Sequence, residues 1–222
     1  MTVVALMVLM AAMVSPALQS IGTASSLAQS SSDIASTLEQ ARAYAMGNNT
    51  YVYVGFQEVG APVATSGNIG KVEVAIVASR DGTRPYQNSP AALLGSQVVQ
   101  VSMLASFNNL HMASSSSLTS GSMTTRPPTS TTGFVDLSQS TSSVTFQWPL
   151  TGAAHYTFNQ VIEIDPQGIA RIQSGSAYSS TIPSFIEIGL LPTHGGAVNA
   201  SSANQAAVQV DGMTGAVSIY RP

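Results

Sequence analysis

The chain has 222 residues, a formal net charge of -3, only 8% charged residues and no cysteine. That length holds one domain of ordinary size plus an extension. With so few basic residues there is no stripe to neutralise a phosphate backbone, so nucleic acid is not an expected partner, and the missing thiols exclude disulfides, zinc-thiolate sites and thiol catalysis.

The first element is apolar. "MTVVALMVLMAAMVSPAL" contains an unbroken apolar run from Val3 to Val14, closed by Ser15 and Pro16. A second pattern continues it, because Leu18, Ile21, Leu27, Ile34, Leu38, Ala41 and Ala45 return mostly to one helical face. Asp33, Glu39 and Arg42 lie off that stripe, Glu39 and Arg42 form an i,i+3 pair, and Gly47-Asn48-Asn49 supplies a left-handed stop. The spacing predicts one helix from Met1 to Met46, roughly 70 Å long at 1.5 Å per residue. Residues 1–18 form its apolar half and 19–47 its amphipathic half.

Val3, Val4, Leu6, Val8, Leu9, Val14 and Leu18 together favour insertion into a bilayer by about 2 to 4 kcal/mol, partly offset by Thr2, Ser15 and Pro16. Met1 to Leu18 as a helix is about 27 Å long, slightly short of a hydrocarbon core near 30 Å. Pro16 removes the hydrogen bond to Ala12 and is expected to bend the rod. A cleavable signal peptide ending near Ser15-Pro16-Ala17 is the competing reading. Against it stand the lack of a basic n-region and a helical phase that continues past the cut.

After Asn49 the period changes to two. "YVYVGF" (51–56), "KVEVAIV" (71–77), "VVQVSML" (98–104), "VTFQW" (144–148), "VIEID" (161–165) and "FIEIGL" (185–190) read as strands. In "KVEVAIV", Val72, Val74 and Ile76 share one face and Lys71 and Glu73 the other, which predicts an antiparallel sheet with one wet face. The helix face Leu27, Ile34, Leu38, Ala41 and Ala45 is the expected cover for the dry one. The fold class expected is therefore α+β: a long N-terminal helix, its apolar half exposed or in a membrane, its amphipathic half packed on an antiparallel β domain spanning 48–222.

Two hairpins are marked by turn chemistry, Asp165-Pro166-Gln167-Gly168 within "IEIDPQGIARI" and Asp211 to Gly215 within "VQVDGMTGAVSIYRP". The Ser/Thr-rich stretch near 113–143 has few apolar residues and reads as an exposed loop.

Chemistry-bearing motifs are missing. No HExxH, P-loop, GxGxxG after a strand, or GxSxG occurs. His111, His155 and His194 stand singly, and Asp81, Asp165 and Asp211 sit in turn contexts where carboxylates accept backbone N–H groups. No catalytic residue, cofactor-binding residue or cofactor is expected. "LPTHGGAVNASSANQ" offers Asn and Ser oxygens without a carboxylate, so no metal is expected either.

The layout resembles the type IV pilin and type II secretion pseudopilin superfamily, in particular the GspH/FimT-like pseudopilins and the prepilin-type proteins of the Verru_Chthon cassette group. The residues carrying the resemblance are "MTVVALMVLMAAMVSPAL" with Pro16, the helix-to-strand junction "LEQARAYAMGNNTYVYVGF", and the closing hairpins "IEIDPQGIARI" and "VQVDGMTGAVSIYRP". The resemblance implies a pilin-like fold and a non-enzymatic subunit of an envelope filament. Its partners would be other pilin or pseudopilin subunits through the N-terminal helix, the bacterial inner membrane before assembly, and prepilin peptidase, with the β domain in the periplasm. A basic leader, a glycine and a glutamate precede the apolar run in that family, and they are expected upstream of Met1. The alternative function is a secreted β-rich binding or adhesin module behind a signal peptide.

Overall fold

A computed structural model describes residues 2–59, 70–86, 89–119, 123, 125–194, 197–198 and 204–222, with helix side chains described from residue 25 onward and those of 194 and 197 left out. The helix α1 (Thr2–Asn48) ends where Asn49 takes a left-handed φ of 49° and the Thr50 N–H returns to the Ala45 carbonyl at 3.0 Å. Asparagine is among the few residues that adopt this conformation at low cost.

The stripe side chains Leu27, Ile34, Leu38, Ala41 and Ala45 are all buried. Ser31 completes the 4-3-4-3-4 spacing of this seam, and it too is fully buried, its hydroxyl donating to the Ala28 carbonyl at 2.9 Å. Small residues at positions 31, 35, 41 and 45 let the helix approach the strands closely. The membrane-half calls Val3, Val4, Leu6, Val8, Leu9, Val14, Pro16 and Leu18 lie outside the residues whose side chains are described.

The first sheet is built on β1 (Val52–Val59) and β2 (Lys71–Ser79), paired antiparallel. β9 (Gln160–Ile164) joins β1, and β10 (Ala170–Arg171) joins β9. β3 (Val98–Gln100) and β4 (Ala105–Asn108) both pair with β2. The second sheet centres on β11 (Phe185–His194), which pairs with β5 (Leu110–Ala113), β13 (Ala206–Asp211) and β12 (Ala197–Val198) antiparallel and with β6 (Phe134–Asp136) parallel. β14 (Val217–Tyr220) extends it beyond β13. β7 (Phe146–Trp148) and β8 (Tyr156–Phe158) form a separate hairpin.

A single residue carries the chain from one sheet to the other. Asn109, at φ 57°, stands between β4 in the first sheet and β5 in the second, and its carbonyl accepts from the Thr193 N–H at 2.9 Å. One apolar cluster then joins the helix stripe to Val54, Phe56, Val74 and Ile162 of the first sheet and to Ile186, Ile188 and Val208 of the second.

The expected α+β, pilin-like class is overturned by this arrangement. Among the described residues β-structure dominates, fourteen strands against the one α-helix, and only about 24 residues of α1, from residue 25 onward, have described side chains, so the class is β-rich rather than a helix-dominated α+β layer. The expectation failed because it assigned the first sheet a wet face. β2 is buried on both faces: Val72, Val74 and Ile76 meet the helix side, while Ala75 and Val77 pack with Tyr53, Phe146, Phe158 and Val161 under the β7–β8 hairpin. Glu73, placed on the wet face by alternation, is fully buried. It survives there because Lys71 Nζ and the Ser106 hydroxyl both reach its carboxylate, as a buried charge requires.

The stretch near 113–143 also departs from an exposed loop in its described part. It contains β6 and the 3-10 turn η1 (Ser115–Ser117), and Leu118 and Met123 pack on Ala113, Leu191 and Ala207 of the second sheet. "VVQVSML" contributes only the short β3.

Candidate functional site

Two features of the surface invite a functional reading: the seam by which the helix enters the β-structure, and a polar cleft where the two sheets meet. At the seam, Glu39 lies 3.6 Å from Arg42 and accepts the Val217 N–H at 3.0 Å. The two hairpin turns dock beside this helix end, the Ala170 N–H donating to the Gly212 carbonyl at 2.8 Å. Gly215, at φ 66°, is required here on two counts, since a Cβ would lie 2.2 Å from the Gly168 carbonyl oxygen.

The cleft, about 390 Å3 in volume, begins at Gln57 and Glu58, just before the end of β1 at Val59. His111 and Met112 of β5 form its second wall, Ser114 and Ser117 of the η1 turn its third. Ser138 and Gln139 after β6 and Asn159 and Gln160 at the start of β9 complete it. Glu58 is the fixed point of this site. Its two carboxylate oxygens lie 2.9 and 3.0 Å from His111 Nδ1, so Nδ1 carries the shared proton, and the Met112 N–H adds a longer contact at 3.4 Å. Gly70 makes room for the pair, because a Cβ there would stand 2.9 Å from Glu58 Oε1 and 2.3 Å from the Leu110 carbonyl oxygen.

Asp136 organises the opposite wall with both of its oxygens. Oδ1 accepts from the Ser138 N–H at 3.0 Å and the Ser138 hydroxyl at 2.8 Å, and Oδ2 accepts from the Ser115 N–H at 2.6 Å. Gln160 Nε2 donates to the Ser138 carbonyl at 3.0 Å. The Ser114 hydroxyl is paired with those of Ser116 and Ser117 at 3.0 and 2.7 Å. The walls are thus held by hydrogen bonds made before any ligand arrives, which is the condition for economical recognition.

No family model, curated protein or solved structure matches the chain. Its functional reading therefore rests on its own residues.

The carboxylates picked out by turn chemistry are occupied in turns. Asp81 Oδ1 accepts from the Thr83 N–H at 2.9 Å, the Thr83 hydroxyl at 2.8 Å and the Ser79 hydroxyl at 2.9 Å, and these bonds, the Thr83 hydroxyl foremost, hold its pKa below the ordinary value. Asp165 Oδ1 accepts from the Gln167 and Ile169 N–H groups, each at 3.0 Å. Asp211 Oδ1 accepts from Met213 and Thr214 N–H groups at 3.0 and 2.7 Å. Of the histidines, His111 enters the cleft, His155 is exposed with its N–H on the Trp148 carbonyl at 2.8 Å, and the His194 side chain lies outside the described residues. The loop "LPTHGGAVNASSANQ" lies partly outside them as well.

A second polar cluster lies on the outer face of the first sheet. Arg84 stacks over the rings of Tyr178, Tyr51 and Tyr86 at 4.0, 4.9 and 5.9 Å, and its Nε stands 3.5 Å from the buried carboxylate of Glu163. The Tyr86 hydroxyl donates to the same carboxylate. Burial raises the Glu163 pKa to about 7 against the pull of Arg84 and Arg171, and burial followed by the Glu163 charge raises that of Tyr53. Arg171 closes the cluster with Asp165 at 2.9 Å. Its charges are paired within the cluster, although Tyr53 Oη and Arg171 Nε are buried without a hydrogen-bond partner among the described residues, so it reads chiefly as a structural network under the adjoining cavity of about 260 Å3.

Glu58 and His111 are 53 residues apart, and no spacing in the sequence connects them. The one signal available was that each interrupts a strand-like run. No helix among the described residues is long and apolar enough to cross a membrane.

Proposed function

We propose that the chain is a non-enzymatic structural subunit of a bacterial envelope filament, of the type II secretion or type IV pilus-like kind, in which a β-rich head is carried by its N-terminal helix. The observation that carries this reading is the seam. The helix is buried in the head from Leu27 to Ala45 and tied to β14 by Glu39, while the sequence ahead of it, Val3 to Val14, is wholly apolar. A helix firmly seated at one end and apolar at the other is suited to leave a membrane and pack among like helices. Ala5, Ala11, Ala12 and Ala17 would permit the close approach that such packing needs. The use of Asp81, Asp165 and Asp211 as turn acceptors further supports a structural role. Inner-membrane attachment, periplasmic exposure of the head and processing by prepilin peptidase belong to the same proposal.

Because the chain has no cysteine, Val8→Cys and Val14→Cys provide unique reporters. Treatment of cells with a membrane-permeant bismaleimide should give a ladder of linked subunits in sheared filaments, and the ladder should disappear in a strain lacking prepilin peptidase. A monomeric protein recovered in the soluble fraction would overturn the proposal. The cleft favours the second reading, a secreted β-rich binding module, and a mature amino terminus near Ala17 would select it.

A further inference from the structure

The geometry of the polar cleft points to a binding site for a neutral saccharide unit, a function beyond the filament reading and independent of it. The chemistry of the walls comes first. Gln139, Asn159 and Gln160 face the cleft with Ser114, Ser117 and Ser138. Amides and hydroxyls both donate and accept, as do the adjacent hydroxyls of a sugar, so the two sets can satisfy one another in pairs.

Gln57 supplies an independent observation. It lines the cleft, and its Oε1 is buried without a hydrogen-bond donor among the described residues. Buried polar atoms in folded proteins nearly always have a partner, and a ligand hydroxyl would provide one. Glu58 adds a preset acceptor: His111 Nδ1 and the Met112 N–H fix its carboxylate, and an ionised carboxylate retains further lone pairs for a ligand hydroxyl.

Other ligand classes fit less well. Among the described residues no Lys or Arg lines the cleft, so the Glu58 charge would face an anion without a compensating cation. Glu58 is also the one carboxylate of the described lining, and no group of three His, Asp or Glu side chains converges among the described residues, which disfavours a divalent cation. Met112 is the single apolar side chain of the described lining, too little for a hydrophobic ligand. No Phe, Tyr or Trp ring belongs to the described lining, so affinity should be weak, with a dissociation constant on the order of 1 mM.

Saturation-transfer NMR on the full chain in detergent, with N-acetylglucosamine, galactose and cellobiose as probes and sialic acid as the anionic control, tests the assignment. Transfer to the ring protons of at least one neutral sugar is expected. Stronger transfer to cellobiose would point to a polymeric glycan as the source, and equal transfer to the monosaccharides would point to free sugar; either supports the site. Gln139 and Asn159 are exposed, so Gln139→Ala/Asn159→Ala should keep the melting temperature while weakening binding about fivefold, and Glu58→Gln should weaken it as well. Silence from all three neutral sugars, equal transfer in the double variant, or preference for sialic acid would overturn the assignment. The Val8→Cys ladder, measured on the same double variant, reports the filament reading separately.

Discussion

Glu39 on the helix accepts a hydrogen bond from the Val217 N–H at 3.0 Å, across 178 residues of sequence. Val217 is the first residue of β14, whose other edge pairs with β13. A helix side chain therefore caps the outer edge of the second sheet at its last strand, where an unpaired N–H would otherwise face solvent or another chain.

Glu39→Ala should lower stability by about 0.5–1.5 kcal/mol, toward the lower end because the bond is exposed. Glu39→Gln keeps an acceptor and should lose less. Hydrogen exchange gives the sharper readout: the Val217 amide should lose protection in the Ala variant and keep most of it in the Gln variant. Unchanged protection in both would remove the edge-capping role.

Arg126, from the Ser/Thr-rich stretch, donates its Nε to Glu187 Oε2 at 2.8 Å, and Gln209 Nε2 donates to the same oxygen at 2.7 Å. All three side chains are buried. Arg126→Ala leaves the carboxylate buried with a neutral donor only and should cost about 3–5 kcal/mol. Arg126→Met/Glu187→Leu should cost clearly less, since it removes both charges together. Urea denaturation of the two variants checks the ordering, and equal losses would show that packing rather than charge pairing holds this stretch on the sheet.

Glu163 carries a pH dependence of defined sign. Its pKa rises on folding from an ordinary value of 4.5 to about 7, so the folded state holds the proton more tightly than the unfolded one. The associated stability is fully present below about 4.5 and is lost as pH climbs through 7. Glu163→Gln retains an acceptor for the Tyr86 hydroxyl and has no proton to lose. Wild type should therefore fall relative to this variant between those limits, by up to ~3 kcal/mol, in chemical denaturation at a series of pH values. Parallel curves would mean that Arg84 keeps the carboxylate ionised throughout.

Gly55 sits under the stacked rings of Phe146 and Phe158, whose centroids are 4.9 Å apart. An added Cβ would stand 2.6 Å from Phe146 Cζ and 2.7 Å from Phe158 Cβ. Gly55→Ala should destabilise by about 1–3 kcal/mol through overpacking, with a changed near-ultraviolet dichroism as the β7–β8 hairpin shifts. A variant as stable as wild type would show that the hairpin rides loosely on the sheet.

Long strands and turns were legible because their signals are local. The alternation of "YVYVGF" and "KVEVAIV" lies within β1 and β2, and the carboxylates of Asp165 and Asp211 bond to N–H groups two to four residues onward. β4, β5, β6, β8, β10 and β12, two to four residues each, are too short for alternation to stand out. Ser31 escaped because its residue type hid a position that its spacing placed on the seam. Of the cleft, neither Glu58 nor His111 was legible as a partner of the other.

Sequence alone determined the helix stripe, the principal strands and the turn chemistry, all of which are decided within a few residues by side-chain periodicity and short-range hydrogen bonding. Only the tertiary structure decided that both faces of β2 are covered, that Glu73, Glu163 and Glu187 are buried with cationic or hydroxyl partners, and that Glu58 meets His111 in a cleft. Burial and charge pairing depend on which distant segments arrive, and alternation within one strand carries no record of them.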